Sequence, residues 1–576
     1  MTSVEDFAIA ATKRYLQSIV FIDDEIYLPV SGKPAEAVIS IPQLKSPFAS
    51  KVSTKLAAAK TGLADAGAAA ASATDAPPAT EKTKVEQGAP PVPEKDAAPP
   101  YHPKQLVESF AREGMVCALY EPSKGFASTA GSELFKLCER ADAVILDWDL
   151  YQEDGRNILP LLASLVSQSQ TSVPHHVRLC AVYTTKPDLE HVASQIYDYL
   201  IKEKLTVDPV KTLSLSAGAT KIVVLGKPNS TGRKAEIQTL AEVAEKDLAT
   251  RIISEFAEMH RGILPSVALH AMSAIRMNSK KILDKFHADM DGAFLLHRAL
   301  TLKDEDAFAQ LPELVAEEAL AVMLESQVEN ETLKALATEV AEGMPFQSID
   351  WAVIDGRPKL AKGILPRRFL AGGEAAIEED HKIKKMPAAI EKLHGAMGCA
   401  TTHADKKVAA LFALRTQYLN LPPSLTFGTI VRVVHEGTAS DQYAMCLMPL
   451  CDSVRLPADA GKTYTFPFWS LDLQSVGAAS RGIVVSLSDN EYVELFARGK
   501  PRDNLWIESF SASVGGTVKA DQSTGRPVFS GVTTKLEWIA QMKPDHAQRV
   551  AQDIGQSLSR IGVVEAEWLR LKSSGK

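Results

Sequence analysis

Two adjacent carboxylates, Asp23 and Asp24, end the apolar run SIVFI. Like charges that close repel, and a buried unpaired carboxylate is costly. The pair must therefore lie in solvent or meet something positive. Three later runs of strand texture end in residues of complementary chemistry. AVILD closes on Asp147, RLCAVYT on Thr184 with Thr185 beside it, and TKIVVLG is followed by Lys227 and Pro228. In open α/β sheets, ligands sit at the carboxyl ends of the strands. Three carboxylates gathered at such an edge favour a hard dication, Mg2+, which takes carboxylate and water oxygens. A phosphoryl group on Asp147 would need neutralisation by that metal and by Lys227, and a hydroxyl donor from Thr184.

Positioning these residues requires a sheet. SIVFI, MVCALYE, AVILDWDL, VRLCAVYTT and TKIVVLGKP read as five strands. Between them lie helical patterns: PKQLVESFAREG with Leu106, Val107 and Phe110 on one face and Gly114 as C-cap, SELFKLCERA, GRNILPLLASLVSQ and LEHVASQIYDYLIKEK. The strands are continuous apolar runs, as expected where helices cover both faces. The fold class is α/β, with a doubly wound five-stranded parallel sheet at the N-terminus. Residues 55–100, rich in Ala, Pro, Lys and Glu and devoid of aromatics, interrupt it after the first strand. That composition buries too little apolar surface to offset ordering entropy and predicts a disordered excursion.

The segment LDWDLYQEDGRNIL, with its Asp-Trp pair and Gly155 eight residues after Asp147, resembles the two-component response-regulator receiver family, and so does the Lys-Pro element in GKPN. The resemblance spans residues 15 to about 245. It implies a flavodoxin-like receiver fold, Asp147 as phosphoacceptor, and Thr184 and Lys227 on the phosphoryl oxygens. It further implies Mg2+ held directly by Asp24, through water by Asp23, by Asp147 itself, and by the backbone carbonyl of Asp149. The implied partner is a histidine kinase, and the implied chemistry is the receiver's own phosphotransfer and dephosphorylation. Three residues before Lys227, where many receivers carry a switch aromatic, stands Val224.

A helical region follows at 246–420, and the helical pattern EIQTLAEVAEKDLATRIISEFAEMH, which starts at Glu236, leads into it with Leu248, Ile252, Phe256 and Met259 on one stripe. Residues 345–375 read as loop. From 421 to 540 short β-branched runs separated by turn residues predict a small, mostly antiparallel β-domain. A C-terminal helix over 541–576 is expected to start after Pro544, to be capped by Asp545, and to turn Val550, Ile554, Leu558 and Ile561 inward. This layout is similar to the large receiver proteins of Detocs-type anti-phage two-component systems. It implies a phosphoryl sink, with a second receiver-effector protein as a further partner; the alternatives are a response regulator whose C-terminal domains bind a protein partner and an effector of unrecognised type that acts on phosphorylation.

A net charge of −8 and a pI near 6.0 argue against a broad electrostatic grip on nucleic acid or anionic membrane. No apolar run is long enough to span a bilayer, and no signal-peptide pattern opens the chain, so a cytoplasmic location is expected. Six scattered cysteines suit reduced, buried thiols. Cys446 and Cys451 read as core cysteines, because their spacing is not that of a redox pair. His394, Cys399, His403 and Asp405 could ligate zinc, but without a second matching cluster they read as structural. Arg367 and Arg368 could hold an anion, although nothing around them marks a site. STGRKAE lacks the glycine spacing of a phosphate loop. Deleting residues 55–100 should leave the melting temperature of the protein nearly unchanged. A large drop measured by calorimetry would show that the stretch is ordered.

Overall fold

A computed structural model describes residues 3–26, 103–171, 176–228, 230–300, 304–344 and shorter stretches between 352 and 558. The Ala/Pro-rich stretch at 55–100, Cys399 and Ile561 lie outside the described residues. The chain divides into two compact units, Glu5–Ser273 on the one hand and Met1–Val4 with Ala274–Lys576 on the other.

The first unit is built on a sheet of β1 (Ser18–Ile22), β2 (Val116–Tyr120), β3 (Ala143–Asp147), β4 (Arg178–Thr184), β5 (Ser214–Ala217) and β6 (Thr220–Gly226). Its spatial order is β2-β1-β3-β4-β6-β5. Five of these strands run parallel, as the sequence predicts. The sixth, β5, was not anticipated: it folds back as an antiparallel hairpin on β6. SLSA is short and half polar, so it carries little strand signal by itself. Its presence accounts for the long interval between Thr184 and Lys227.

Helices α1 (Val4–Tyr15), α2 (Pro103–Arg112), α3 (Glu133–Glu139), α4 (Ile158–Thr171), α5 (Leu189–Lys202), α6 (Ala235–Ala241), α7 (Glu245–Met259) and α8 (Ile263–Met277) surround the sheet. Two apolar layers result. Val144, Leu146, Val182 and Val224 pack against α3, α4 and α5, while Phe21, Ile145, Tyr183 and Leu225 pack against α1, α2, α7 and α8. This in–out alternation follows from the two-residue period of a strand. Caps start two of the helices: Ser132 Oγ accepts the Phe135 N–H and Asp188 Oδ1 accepts the His191 N–H.

Several local expectations are corrected. On α2, Leu106 and Phe110 are buried with Ser109, whereas Val107 is 36% exposed, because one residue turns a helix by about 100°. β2 is an edge strand, and Val116 stands 72% exposed rather than covered. The single helix expected from residue 236 breaks at Glu242–Ala244 into α6 and α7, although Leu248, Ile252 and Phe256 are buried as the stripe predicts.

The second unit carries helices at Asp291–Leu300, Asp304–Glu325 and Asn330–Gly343. The region expected as loop contains a hairpin of β7 (Ala352–Ile354) and β8 (Arg357–Lys359) and a helix at Ile364–Gly372. Beyond it, β10 (Thr429–His435), β11 (Thr438–Cys446), β12 (Thr463–Leu471), β15 (Leu505–Ser511), β16 (Val528–Ser530) and β17 (Lys535–Met542) form an antiparallel sheet, with the short β9 (Leu414–Arg415) paired to β17. The bridge between Phe510 and Gly531 brings its two edges together. One face encloses Val431, Phe466, Phe468, Phe510 and Phe529. The other packs Tyr443, Trp469 and Ile539 against a hairpin of β13 (Ile483–Ser488) and β14 (Glu491–Leu495) and the helix Pro544–Leu558. The sequence reading missed β9 and β16, which are only two and three residues long, and β17, whose Lys, Glu and Gln blur the apolar alternation.

In the last helix Asp545 lies inside the first turn rather than at the cap. Ala547 and Ile554 are buried and Val550 is partly so, but Leu558 is half exposed at the frayed end. Cys446 is a core thiol, pushed up to about 12 by burial, whereas Cys451 is exposed on a one-turn helix and leaves the core. Among the described residues no helix is long and apolar enough to cross a membrane.

At the amino end of the first sheet, fully buried Asp142 fastens β1 to β3. Its Oδ2 accepts the N–H groups of Gln17 (2.9 Å) and Ser18 (3.0 Å) and the Ser18 hydroxyl (3.1 Å). Asp142→Ala strands these donors and should cost about 3 kcal/mol or more. The urea transition of the full chain, followed by circular dichroism, measures it.

Candidate functional site

At the opposite, carboxyl end of the sheet the strands deliver the residues singled out above. Asp23 follows β1 directly, Asp147 ends β3, Thr184 ends β4 and Lys227 follows β6. Asp23, Asp24 and Asp147 each place a carboxylate oxygen within 4.8 Å of the others. Among the described residues this is the one group of three acidic, histidine or cysteine side chains close enough to share a metal ion. Lys227 reaches into it. Its Nζ lies 2.8 Å from Asp23 Oδ2 and 3.1 Å from Asp147 Oδ1, and 5.7 Å above the Tyr183 ring.

The site is largely dry: Asp23 and Thr184 are fully buried, and Asp147 and Lys227 nearly so. Burial pushes the Asp147 carboxyl up to about 7, with Asp23 and Asp24 adding to the rise and Lys227 opposing it. Burial works against the charge on Lys227, but Asp147 and Asp23 outweigh it and hold the ammonium above its ordinary range. Burial, followed by Asp23, also raises Glu25, whose backbone N–H donates to Asp23 Oδ1. One ammonium therefore faces three carboxylates in a medium where each unpaired charge is expensive. The donor set, all hard oxygens with excess negative charge, fits Mg2+.

Asp24 is oriented by the loop after β3: its Oδ2 accepts the Tyr151 N–H at 2.8 Å, while the Tyr151 hydroxyl donates to the Pro122 carbonyl. That loop is strained. Tyr151, Gln152 and Asp154 all have left-handed φ, a conformation uncommon outside glycine. Gly155, also left-handed, lies under the Trp148 indole, where a Cβ would come within 2.3 Å of the ring. The indole in turn donates to Asp154 Oδ1 at 3.0 Å.

Asp149 stands apart from the acidic cluster. Its carboxylate faces Lys186 Nζ at 3.2 Å and accepts the Asp154 N–H, and its carbonyl accepts the Gln152 N–H at 2.8 Å. The Thr184 hydroxyl accepts the Lys186 N–H at 3.2 Å, and its carbonyl accepts the Lys227 N–H at 2.8 Å. Val224 is buried in the core beneath, so the switch position holds no aromatic.

Residues 15–232 match the family model of the response receiver domain. This segment is a receiver domain. The match covers well under half of the chain, and no curated protein and no solved structure matches it. The first unit contains contributors that the sequence reading missed: Tyr151, which braces Asp24, Lys186, which holds Asp149 and Asp154 (3.0 Å), and Arg233, just past the matched segment and buried behind Thr184 and Lys227. None has a strand-end position, the signal by which the others were found. Of the alternative clusters, His394 pairs with Asp405 at 3.5 Å while His403 packs on the Tyr492 ring. Arg367 donates to the Met344 carbonyl.

The raised Asp147 carboxyl has a measurable sign. Folded Asp147 keeps its proton to about pH 7, whereas an unfolded aspartate releases it near pH 4. Between these values the native state binds the extra proton, so this group's contribution to stability is lost as pH rises. In the absence of metal, Asp147→Asn should melt several degrees above the wild type at pH 7, with the gap closing toward about pH 4. Mg2+ should raise the wild-type melting temperature more than the variant's. Differential scanning fluorimetry across pH tests both.

Proposed function

We propose that the receiver accepts a phosphoryl group on Asp147 from the phosphohistidine of a partner histidine kinase. A receiver domain indicates phosphoryl acceptance in a two-component system. The observation that carries the residue assignment is the placement of the Asp147 carboxylate 3.1 Å from Lys227 Nζ, beside Asp23 and Asp24. A carboxylate oxygen of Asp147 attacks phosphorus in line, the P–N bond breaks, and its electron pair returns to the imidazole nitrogen, which takes a proton. The product is an acyl phosphate, and attack by water on it releases inorganic phosphate and restores the carboxylate. Lys227 and the Thr184 hydroxyl would bind the phosphoryl oxygens. Asp23, Asp24, Asp147 and the Asp149 carbonyl would hold Mg2+. When bound, that ion supplies charge neutralisation for the transferring phosphoryl group.

The finer form of the reading is a sink: phosphoryl groups are drawn from the kinase and lost as phosphate, buffering its signal within an anti-phage system. Val224 at the switch position supports it, since a receiver that drains phosphoryl groups needs no aromatic relay to an output domain. Asp147→Asn and Asp147→Ala should abolish phosphate incorporation from acetyl phosphate while the circular dichroism spectrum is retained. Intact-mass spectrometry reads the added phosphate. Labelling that persists in these variants would refute the assignment.

A further inference from the structure

The segment STGRKAE has no phosphate-loop spacing, yet it places a guanidinium directly behind the receiver site. Arg233 is 5% exposed, and its side chain is fully enclosed. Nη1 donates to the Lys227 carbonyl at 2.9 Å and to Glu242 Oε2 at 2.9 Å. Nη2 donates to the Thr184 carbonyl at 3.2 Å and to the Lys186 carbonyl at 2.9 Å. The acceptors therefore include the backbones of both residues proposed to hold phosphoryl oxygens. They also include Lys186, whose ammonium anchors Asp149 and Asp154.

The sequence around Arg233 makes room for this. Gly226, opposite Thr184 in the β4–β6 register, would place a Cβ 2.3 Å from Arg233 Nη1, so any side chain there would displace the guanidinium. Glu242, at the break between α6 and α7, supplies the balancing charge. The planar fork of arginine can bond two strand ends at once, whereas a lysine ammonium is a single point of charge on a flexible stem.

From this geometry we infer that Arg233 is a positioning residue for phosphoryl transfer. It fixes the separation of Thr184 and Lys227 by locking the ends of β4 and β6, without touching the reacting atoms. The inference rests on the reading of Asp147 as phosphoacceptor. Phosphoryl transfer depends mainly on positioning and electrostatics, and a displacement of about 1 Å can cost on the order of a hundredfold in rate.

The test uses the full chain, acetyl phosphate with Mg2+ as donor, and intact-mass spectrometry as readout. Mn2+ binding is measured separately by electron paramagnetic resonance. Arg233→Lys and Arg233→Met should bind Mn2+ as the wild type does, because Asp23, Asp24 and Asp147 are untouched. Their maximal rate of labelling should fall by about tenfold or more, with the acetyl phosphate concentration at half-maximal rate little changed and Lys less impaired than Met. A purely structural arginine would lower the melting temperature without this split. Should either variant fail to fold, Glu242→Gln removes only the balancing charge and should slow labelling about threefold. Wild-type labelling with folded variants at the wild-type rate overturns the role of Arg233 alone. A wild type that is never labelled overturns the phosphoacceptor reading, and this inference with it.

Discussion

The electrostatic repulsion among Asp23, Asp24 and Asp147 is the constraint to which the first unit answers. Three carboxylates share a region under 5 Å across with a single ammonium, in surroundings that exclude most water. Such an arrangement is unfavourable in isolation and persists because covalent and packing forces elsewhere hold it. Burial raises the Asp147 carboxyl most, and the repulsion from Asp23 and Asp24 adds to that rise. A cation entering the site relieves it, and a phosphoryl group on Asp147 would change its balance again. The site is thus built to respond to charge.

What holds the carboxylates together is a sheet whose central strands are buried on both faces. The strand ends are fixed by residues that carry no chemistry of their own. Asp142 joins β1 to β3 at the far edge, Tyr151 ties the loop after β3 to Asp24, and Arg233 joins β4 to β6. The strained backbone at Tyr151, Gln152 and Asp154 belongs to the same scheme, because it turns the Tyr151 N–H toward Asp24 and lets Gly155 pass beneath Trp148. The Tyr183 hydroxyl, bonded to the Val243 carbonyl at 2.7 Å, fastens the strand that carries Thr184 to the start of α7.

The second unit follows a different logic. Its sheet buries apolar side chains on both faces, one lined by phenylalanines within the curl and the other covered by a hairpin and the last helix. Its buried carboxylate, Glu508, is matched by the hydroxyls of Thr533 and Thr534 and by backbone N–H groups, and these hydrogen bonds hold its carboxyl below the usual range against the effect of burial. Its acid is thus satisfied by neutral donors, whereas Asp23 and Asp147 at the receiver site both lean on the ammonium of Lys227.

The sequence alone determined the parallel strands and the residues at their ends. Strand periodicity is local, and the doubly wound arrangement puts every strand's carboxyl end at one edge. Asp23, Asp24, Asp147, Thr184 and Lys227 could therefore be read without coordinates. Only the tertiary structure revealed β5, the three strands missed in the second sheet, and the roles of Tyr151, Lys186 and Arg233. These depend on partners distant in the chain: Tyr151 meets Asp24 across 127 residues, and Arg233 meets Thr184 across 49. Val107 and Val116 were misplaced for the same reason, since burial depends on which neighbours the fold supplies and not on how apolar the residue is. Local pattern fixes where a side chain can point, and only the packed chain decides what it meets.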